Sequence, residues 1–172
     1  MRSDKTDESE KVVPRSLIGA AGVYHVASEL SRRGLIALPT TRNTKGYDII
    51  VADPEGSCYA NIDVKTSQRC VIWWPMPSSD SVCAGPNDYY VLLRWIKKEK
   101  RFEGFMLTGV EAKKEVVRSE NEDPSNVRNR SEGKHIWTGV DVGRVLSEDA
   151  VGWKRRWEIW TLNPHEKPVS TL

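Results

Sequence analysis

Two short apolar runs with strand character, Tyr47 to Ala52 and Tyr59 to Val64, flank Asp53-Pro54-Glu55-Gly56, whose proline, glycine and acids are turn formers. The pattern predicts a β-hairpin. Upstream the period changes: Leu17, Ala20, Ala21, Tyr24, Ala27 and Leu30 recur at helical spacing, with Ser16 placed to cap the start and Gly34 to stop it. An amphipathic helix lying on a sheet is expected there, and Gly19, Ala20 and Gly22 leave one part of it thin enough for close approach to a strand. Leu35 to Pro39 reads as a short first strand, and Thr40 to Lys45 as a polar turn leading into the hairpin.

Downstream, Tyr89 to Leu93 and Phe105 to Leu107 are strand-like and are separated by the basic run Lys97, Lys98, Lys100 and Arg101, which predicts a second hairpin with a charged tip. The tip has two readings, a phosphate contact or a solvated turn. Val110 to Arg118 has helical character, whereas Ser119 to Lys134 is polar and without periodicity, so a long surface loop is expected. Ser147, Glu148 and Asp149 form a helix start, and Trp153, Trp157 and Trp160 follow on one face. Those tryptophans read either as core packing or, with Lys154, Arg155 and Arg156, as a surface for nucleic acid or a partner subunit. Residues 1–14 read as a disordered or loosely held tail, 15–162 as one domain and 163–172 as a C-terminal tail. The fold expected is a single α/β domain, a central mixed β-sheet with helices on both faces.

The chain of 172 residues, 38% hydrophobic, is long enough to bury a real core. No apolar run reaches the ~18 residues needed to cross a bilayer and the N-terminus is charged, so a cytoplasmic protein with no membrane partner is expected. Cys58, Cys70 and Cys83 are odd in number and lack C-x-x-C spacing, which fits reduced thiols better than a disulfide framework or a zinc site. A net charge of +2 argues against a highly basic nucleic-acid coat and leaves room for a local patch. His135, beside a possible strand, reads as a structural histidine, and His25 and His165 have no partner pattern. There is no internal repeat, no Gly-rich nucleotide loop and no Ser/His/Asp set.

The candidate chemistry lies in the first hairpin. Asp48 is near the start of its first strand, and Asp63 and Lys65 lie two apart near the end of its second. In an antiparallel pair the start of one strand lies beside the end of the next, and residues i and i+2 share a face, so the three side chains can converge. Two carboxylates and an ammonium on one sheet face are costly to maintain for stability alone. They suit a hard divalent cation such as Mg2+ or Mn2+, with the lysine orienting water or offsetting charge, and the chemistry implied is phosphodiester hydrolysis. A surface salt-bridge cluster is the other reading. Acid-x-Lys also occurs at Glu111-Ala112-Lys113, where no paired strand supplies an aspartate.

Gly46-Tyr47-Asp48, Ile62-Asp63-Val64-Lys65-Thr66-Ser67 and the helix around Gly19 to Gly34 together resemble the PD-(D/E)XK nuclease superfamily, which includes many restriction enzymes and Holliday-junction resolvases. The resemblance covers about residues 15 to 110 and implies a restriction endonuclease-like core and an endonuclease acting on duplex or branched DNA. By position it makes Asp48, Asp63 and the Val64 carbonyl metal ligands for Mg2+ or Mn2+, and Lys65 catalytic, with Gln68 a further candidate. Related sequences usually carry a glutamate on the first helix, in a Gly-Glu-Tyr-like context. Here Gly22 is followed by Val23 and Tyr24, and Glu29 lies six residues on, about 240° around the helix.

Arg42, Lys45 and Arg69 are candidate phosphate contacts flanking the hairpin, and Trp73 and Trp74 are candidates for base stacking beside a flap from Pro75 to Pro86. Loop solvation and core anchoring are the respective alternatives. Two functions follow: a metal-dependent endonuclease, possible as a homodimer, or a catalytically inactive nuclease fold serving as a nucleic-acid-binding or protein-interaction module.

Overall fold

The computed structural model describes residues 13–41, 46–55, 58–68 and 72–142. Helix α1 (Arg15–Ser31) leads into strands β1 (Ile36–Pro39), β2 (Ile49–Ala52) and β3 (Cys58–Ser67). Strand β4 (Trp73–Pro75), a 3-10 turn (Ser79–Ser81), strands β5 (Asp88–Ile96) and β6 (Arg101–Thr108), helices α2 (Gly109–Glu122) and α3 (Pro124–Ser131), and strand β7 (Gly139–Asp141) follow. Five strands form one sheet in the order β1-β2-β3-β5-β6, and β4 pairs with β7 in a second, two-stranded sheet. The main sheet is mixed, since β3 and β5 are parallel and the other pairs are antiparallel.

Strand alternation divides the core into two layers. Ile49, Val51, Ile62, Val64, Val91, Leu93 and Met106 turn to one face and pack with Val26, Ala27 and Leu30 of α1. Tyr90, Leu92, Phe105 and Leu107 turn to the other and pack with Ala112 and Val116 of α2 and with Trp74 and Val140 of the small sheet. Interior strand β5, paired on both sides, is apolar on both faces because both are covered, which explains its unbroken run of Tyr, Val and Leu. The α/β fold with a mixed sheet and helices on both faces is therefore as the sequence leads one to expect.

Several local expectations are corrected. Ser16 does not cap α1. Pro14 is the cap residue, and its carbonyl accepts from the Leu17 and Ile18 N–H groups. The chain leaves α1 through Gly34, whose φ of +89° is a conformation glycine adopts without steric cost. The stretch expected to be a long loop contains α3. Asp123 starts it by accepting from the Ser125 N–H, and the buried Asn126 ties it to the Ser119 and Trp137 carbonyls. Residues 134–138 are not a strand; β7 begins at Gly139. His135 is exposed, its ring 4.8 Å from that of Trp137. The tryptophan-rich C-terminal segment and His165 lie outside the described residues. No helix among those described is long and apolar enough to cross a membrane.

Candidate functional site

Asp48 occupies the residue before β2, where the sheet pairing between β2 and β3 runs out. Its N–H donates to the Ile62 carbonyl at 2.9 Å, and its own carbonyl accepts from the Thr40 N–H at 2.9 Å. Its carboxylate Oδ2 accepts from the Val64 N–H at 2.8 Å. The main chain and side chain of Asp48 are thus both tied to neighbouring strands.

Parity then fixes which face the site uses. Ile49, Val51, Ile62 and Val64 point toward α1, so Asp48, Asp63 and Lys65 point the other way, onto the face that carries Tyr90 and Leu92. Along the parallel ladder Asp63 lies beside Tyr90 and Lys65 beside Leu92. The structure brings the three charged residues together: Lys65 Nζ is 2.6 Å from Asp63 Oδ1, and the Asp48 carboxyl is within hydrogen-bonding reach of Asp63.

The electrostatics of this group are unbalanced. Burial holds the Asp63 carboxyl above the usual carboxylate range; the Lys65 ammonium opposes that shift and the neighbouring Asp48 adds to it. Despite the close ammonium, the buried Asp63 Oδ1 has no aligned hydrogen bond. Two carboxyl groups within reach of each other need a proton or a cation between them, because like charges so close cannot both ionise freely. The Tyr90 hydroxyl is pushed up to about 12, first by burial and then by the negative charge of Asp63.

Two features surround the group. Tyr90 Oη accepts from the Cys83 N–H at 3.0 Å, and the Asp88 carboxylate accepts from the Gly85 N–H and the Asn61 amide. With Ser79 bonded through both N–H and Oγ to Glu120, the segment expected to be a mobile flap is anchored at three points. Tyr47 reaches the same region, where burial first, then hydrogen bonds to Asp88 and Cys83, raise its hydroxyl pKa.

The remaining sequence candidates fall elsewhere. Gln68 is not with the carboxylates; its amide nitrogen donates to the Val13 carbonyl at 3.0 Å, beside the start of α1. Trp74 is 1% exposed and gives its indole N–H to the Leu93 carbonyl, so it anchors the core and offers no face to a base. Trp73 is half-buried with its ring against Gly139, where an added Cβ would fall 2.4 Å from the ring. It lines a shallow pocket of about 130 Å³ with Arg118, Glu122 and Asp141, which contains none of Asp48, Asp63 or Lys65. Arg42, Lys45 and Arg69 lie outside the described residues, and Lys97, Lys98 and Lys100 are exposed at the β5–β6 tip.

The first helix adds no acid to the site. Val23 is partly buried against the core layer on the α1 side of the sheet. Glu29 is ion-paired with Arg33 at 2.7 Å and Arg32 at 3.4 Å. Glu111, the acid of the second acid-x-Lys sequence, closes a capping box with Thr108 at the start of α2. Thr40 and Tyr90 are the neighbours that sequence reading misses.

Comparison with family models, with curated proteins and with solved structures gives no match to this chain. Its chemistry therefore rests on the geometry of the site.

Proposed function

We propose that this chain is a divalent-metal-dependent endonuclease that hydrolyses phosphodiester bonds in DNA, duplex or branched. The observation that carries the reading is the meeting of Asp48 and Asp63 beside Lys65 on one sheet face, where β2 ends. The donor set fits a hard cation such as Mg2+ or Mn2+. It offers two carboxylates within reach of each other, and one of their buried oxygens lacks an aligned hydrogen bond. Among the described residues no three His, Cys, Asp or Glu side chains converge, so protein ligation would rest on Asp48, Asp63 and a backbone carbonyl. Val64 is the residue for that carbonyl. It gives its N–H to Asp48, and the N–H and C=O of one strand residue leave on the same side.

When bound, the cation would lower the pKa of a water molecule and offset phosphate charge. The side chains have separate tasks. Asp48, fixed by the Val64 N–H, would present its second oxygen in a set direction. Lys65 would keep its ammonium beside Asp63 and reach the attacking water or a phosphate oxygen, with about 30% of its side chain exposed. Tyr90 and the anchored segment near Cys83 would wall one side.

Asp63→Ala is expected to abolish divalent-dependent cleavage while the circular dichroism spectrum stays that of the wild type. Cleavage at the wild-type rate in that variant would remove this reading.

A second reading has one observation behind it. Val23 packs in the core on the opposite face, so α1 contributes no carboxylate and the donor set stays at two. That favours a nuclease-like fold serving as a nucleic-acid-binding or protein-interaction module. It expects DNA binding that ignores EDTA and no nicking at any divalent concentration.

A further inference from the structure

Among the groups around Asp48, one side chain touches neither carboxylate and yet holds the peptide on which Asp48 sits. Thr40 follows β1, directly after Pro39. Its hydroxyl donates to the Tyr47 carbonyl at 2.6 Å, and its N–H donates to the Asp48 carbonyl at 2.9 Å. The two carbonyls on either side of the Asp48 residue are therefore gripped by one threonine. On the opposite side the Asp48 N–H and carboxylate are held by Ile62 and Val64 of β3. Asp48 is clamped between the end of β1 and the middle of β3.

The clamp lies where regular pairing ends: Asp48 comes just before β2, with its N–H and carbonyl bonded to Ile62 and Thr40. Strand β2 begins at Ile49, and Pro39, which pairs with Ile49, has no N–H to give. Without the Thr40 hydroxyl the Tyr47–Asp48 peptide keeps its Asp48 N–H bond to the Ile62 carbonyl and loses the second hold, on the Tyr47 carbonyl. A rotation of that peptide swings the Asp48 Cα–Cβ bond and moves the carboxylate relative to Asp63. A misplacement of about 1 Å at a reacting centre is enough to lower a rate by orders of magnitude. Thr40 and Tyr47 are also the two ends of the short connection that carries Arg42 and Lys45 in the sequence.

We propose that Thr40 is a positioning residue of this site, setting the orientation of the Asp48 carboxylate through the Tyr47 carbonyl. The assignment deepens the nuclease reading and rests on it for its catalytic consequence; its structural consequence stands independently.

The test uses the full chain and three forms: wild type, Thr40→Val, which keeps the shape and removes the hydroxyl, and Thr40→Ser, which restores it. The first readout is the Val64 amide in a proton–nitrogen correlation spectrum, since that N–H bonds the Asp48 carboxylate. Thr40→Val is expected to shift this resonance upfield and speed its hydrogen exchange about tenfold or more, while Thr40→Ser leaves both near wild type. The second readout is plasmid nicking across a Mg2+ titration. Thr40→Val is expected to lose about tenfold or more in kcat with KM for plasmid little changed, and Thr40→Ser to recover to within about twofold.

An unchanged Val64 amide in Thr40→Val overturns the proposal. So does a fall in kcat that Thr40→Ser does not rescue. If the wild type does not nick DNA at all, the nuclease reading fails, and the Val64 amide still decides whether Thr40 sets Asp48. If Thr40→Val melts lower, Val116→Ala serves as a control destabilised far from the site. An equal change at Val64 in that control also overturns the proposal.

Discussion

The Asp48 carboxylate accepts a hydrogen bond from the Val64 N–H at 2.8 Å, across the point where strand β2 gives out. A net contribution of about 1.5–3 kcal/mol is ordinary for a bond to a charged group. Here its larger effect is directional. It occupies one carboxylate oxygen and holds the Asp48 carboxyl beside Asp63, which with Lys65 faces away from α1.

The close approach of α1 to the sheet gives a stability prediction. A Cβ on Gly22 would lie 1.8 Å from Thr66 Oγ1 and 2.9 Å from its Cβ. Gly22→Ala is expected to destabilise the fold by about 1–3 kcal/mol in urea melts, as overpacking does. Adding Thr66→Ala removes the nearest atom, and also a buried hydroxyl without a partner, so the double variant should recover part of that loss. A wild-type midpoint for Gly22→Ala alone would contradict the packing described.

Trp74 separates core from surface function. Trp74→Phe removes the indole N–H that bonds Leu93 O and shrinks a fully buried side chain. A loss of about 1–3 kcal/mol is expected, with DNA affinity per folded molecule unchanged. A drop in affinity without a drop in stability would return Trp74 to the list of base contacts.

The two acid-x-Lys sequences should behave in opposite ways. Glu111 accepts from the Thr108 N–H at 2.7 Å and serves the α2 cap. Glu111→Ala should cost about 0.5–2 kcal/mol in a thermal or urea melt and leave the cleavage rate as it was.

His25 supplies a pH dependence. Burial lowers its pKa below the usual 6.5; Glu29 opposes that shift and Arg33 adds to it. The unfolded chain therefore binds this proton more tightly than the folded one. The histidine's contribution to stability is complete above pH 6.5 and is lost as pH falls through 6.5 toward the lowered folded value. His25→Phe, which keeps a ring against Phe102, should flatten the change in melting temperature between about pH 5 and 7. An identical slope in both proteins would contradict this.

The hairpin and its three charged residues were legible because two rules suffice there, alternation by two and turn chemistry at Asp53-Pro54. Adjacent strand residues face opposite sides, so Trp73 and Trp74 point to different faces, and Gln68, three past Lys65, is set on the other face from it. Helix α3 was hidden for a different reason. Its buried contact is Asn126, a polar side chain that makes hydrogen bonds, so no apolar stripe marks it. Asp123-Pro124, a capping acid followed by proline at the first helical position, was the available signal. The Thr40 clamp depends on two residues meeting across a turn whose length alone does not fix their contact.

The most direct measurement is nicking of supercoiled plasmid and of a four-way junction by wild type and Lys65→Ala, in Mg2+, Mn2+ or EDTA. Divalent-dependent cleavage by the wild type, absent in EDTA and lost in Lys65→Ala, is the result expected of a nuclease built on Asp48, Asp63 and Lys65. Cleavage that survives in Lys65→Ala, or a wild type that cuts neither substrate under any of these conditions, would contradict it.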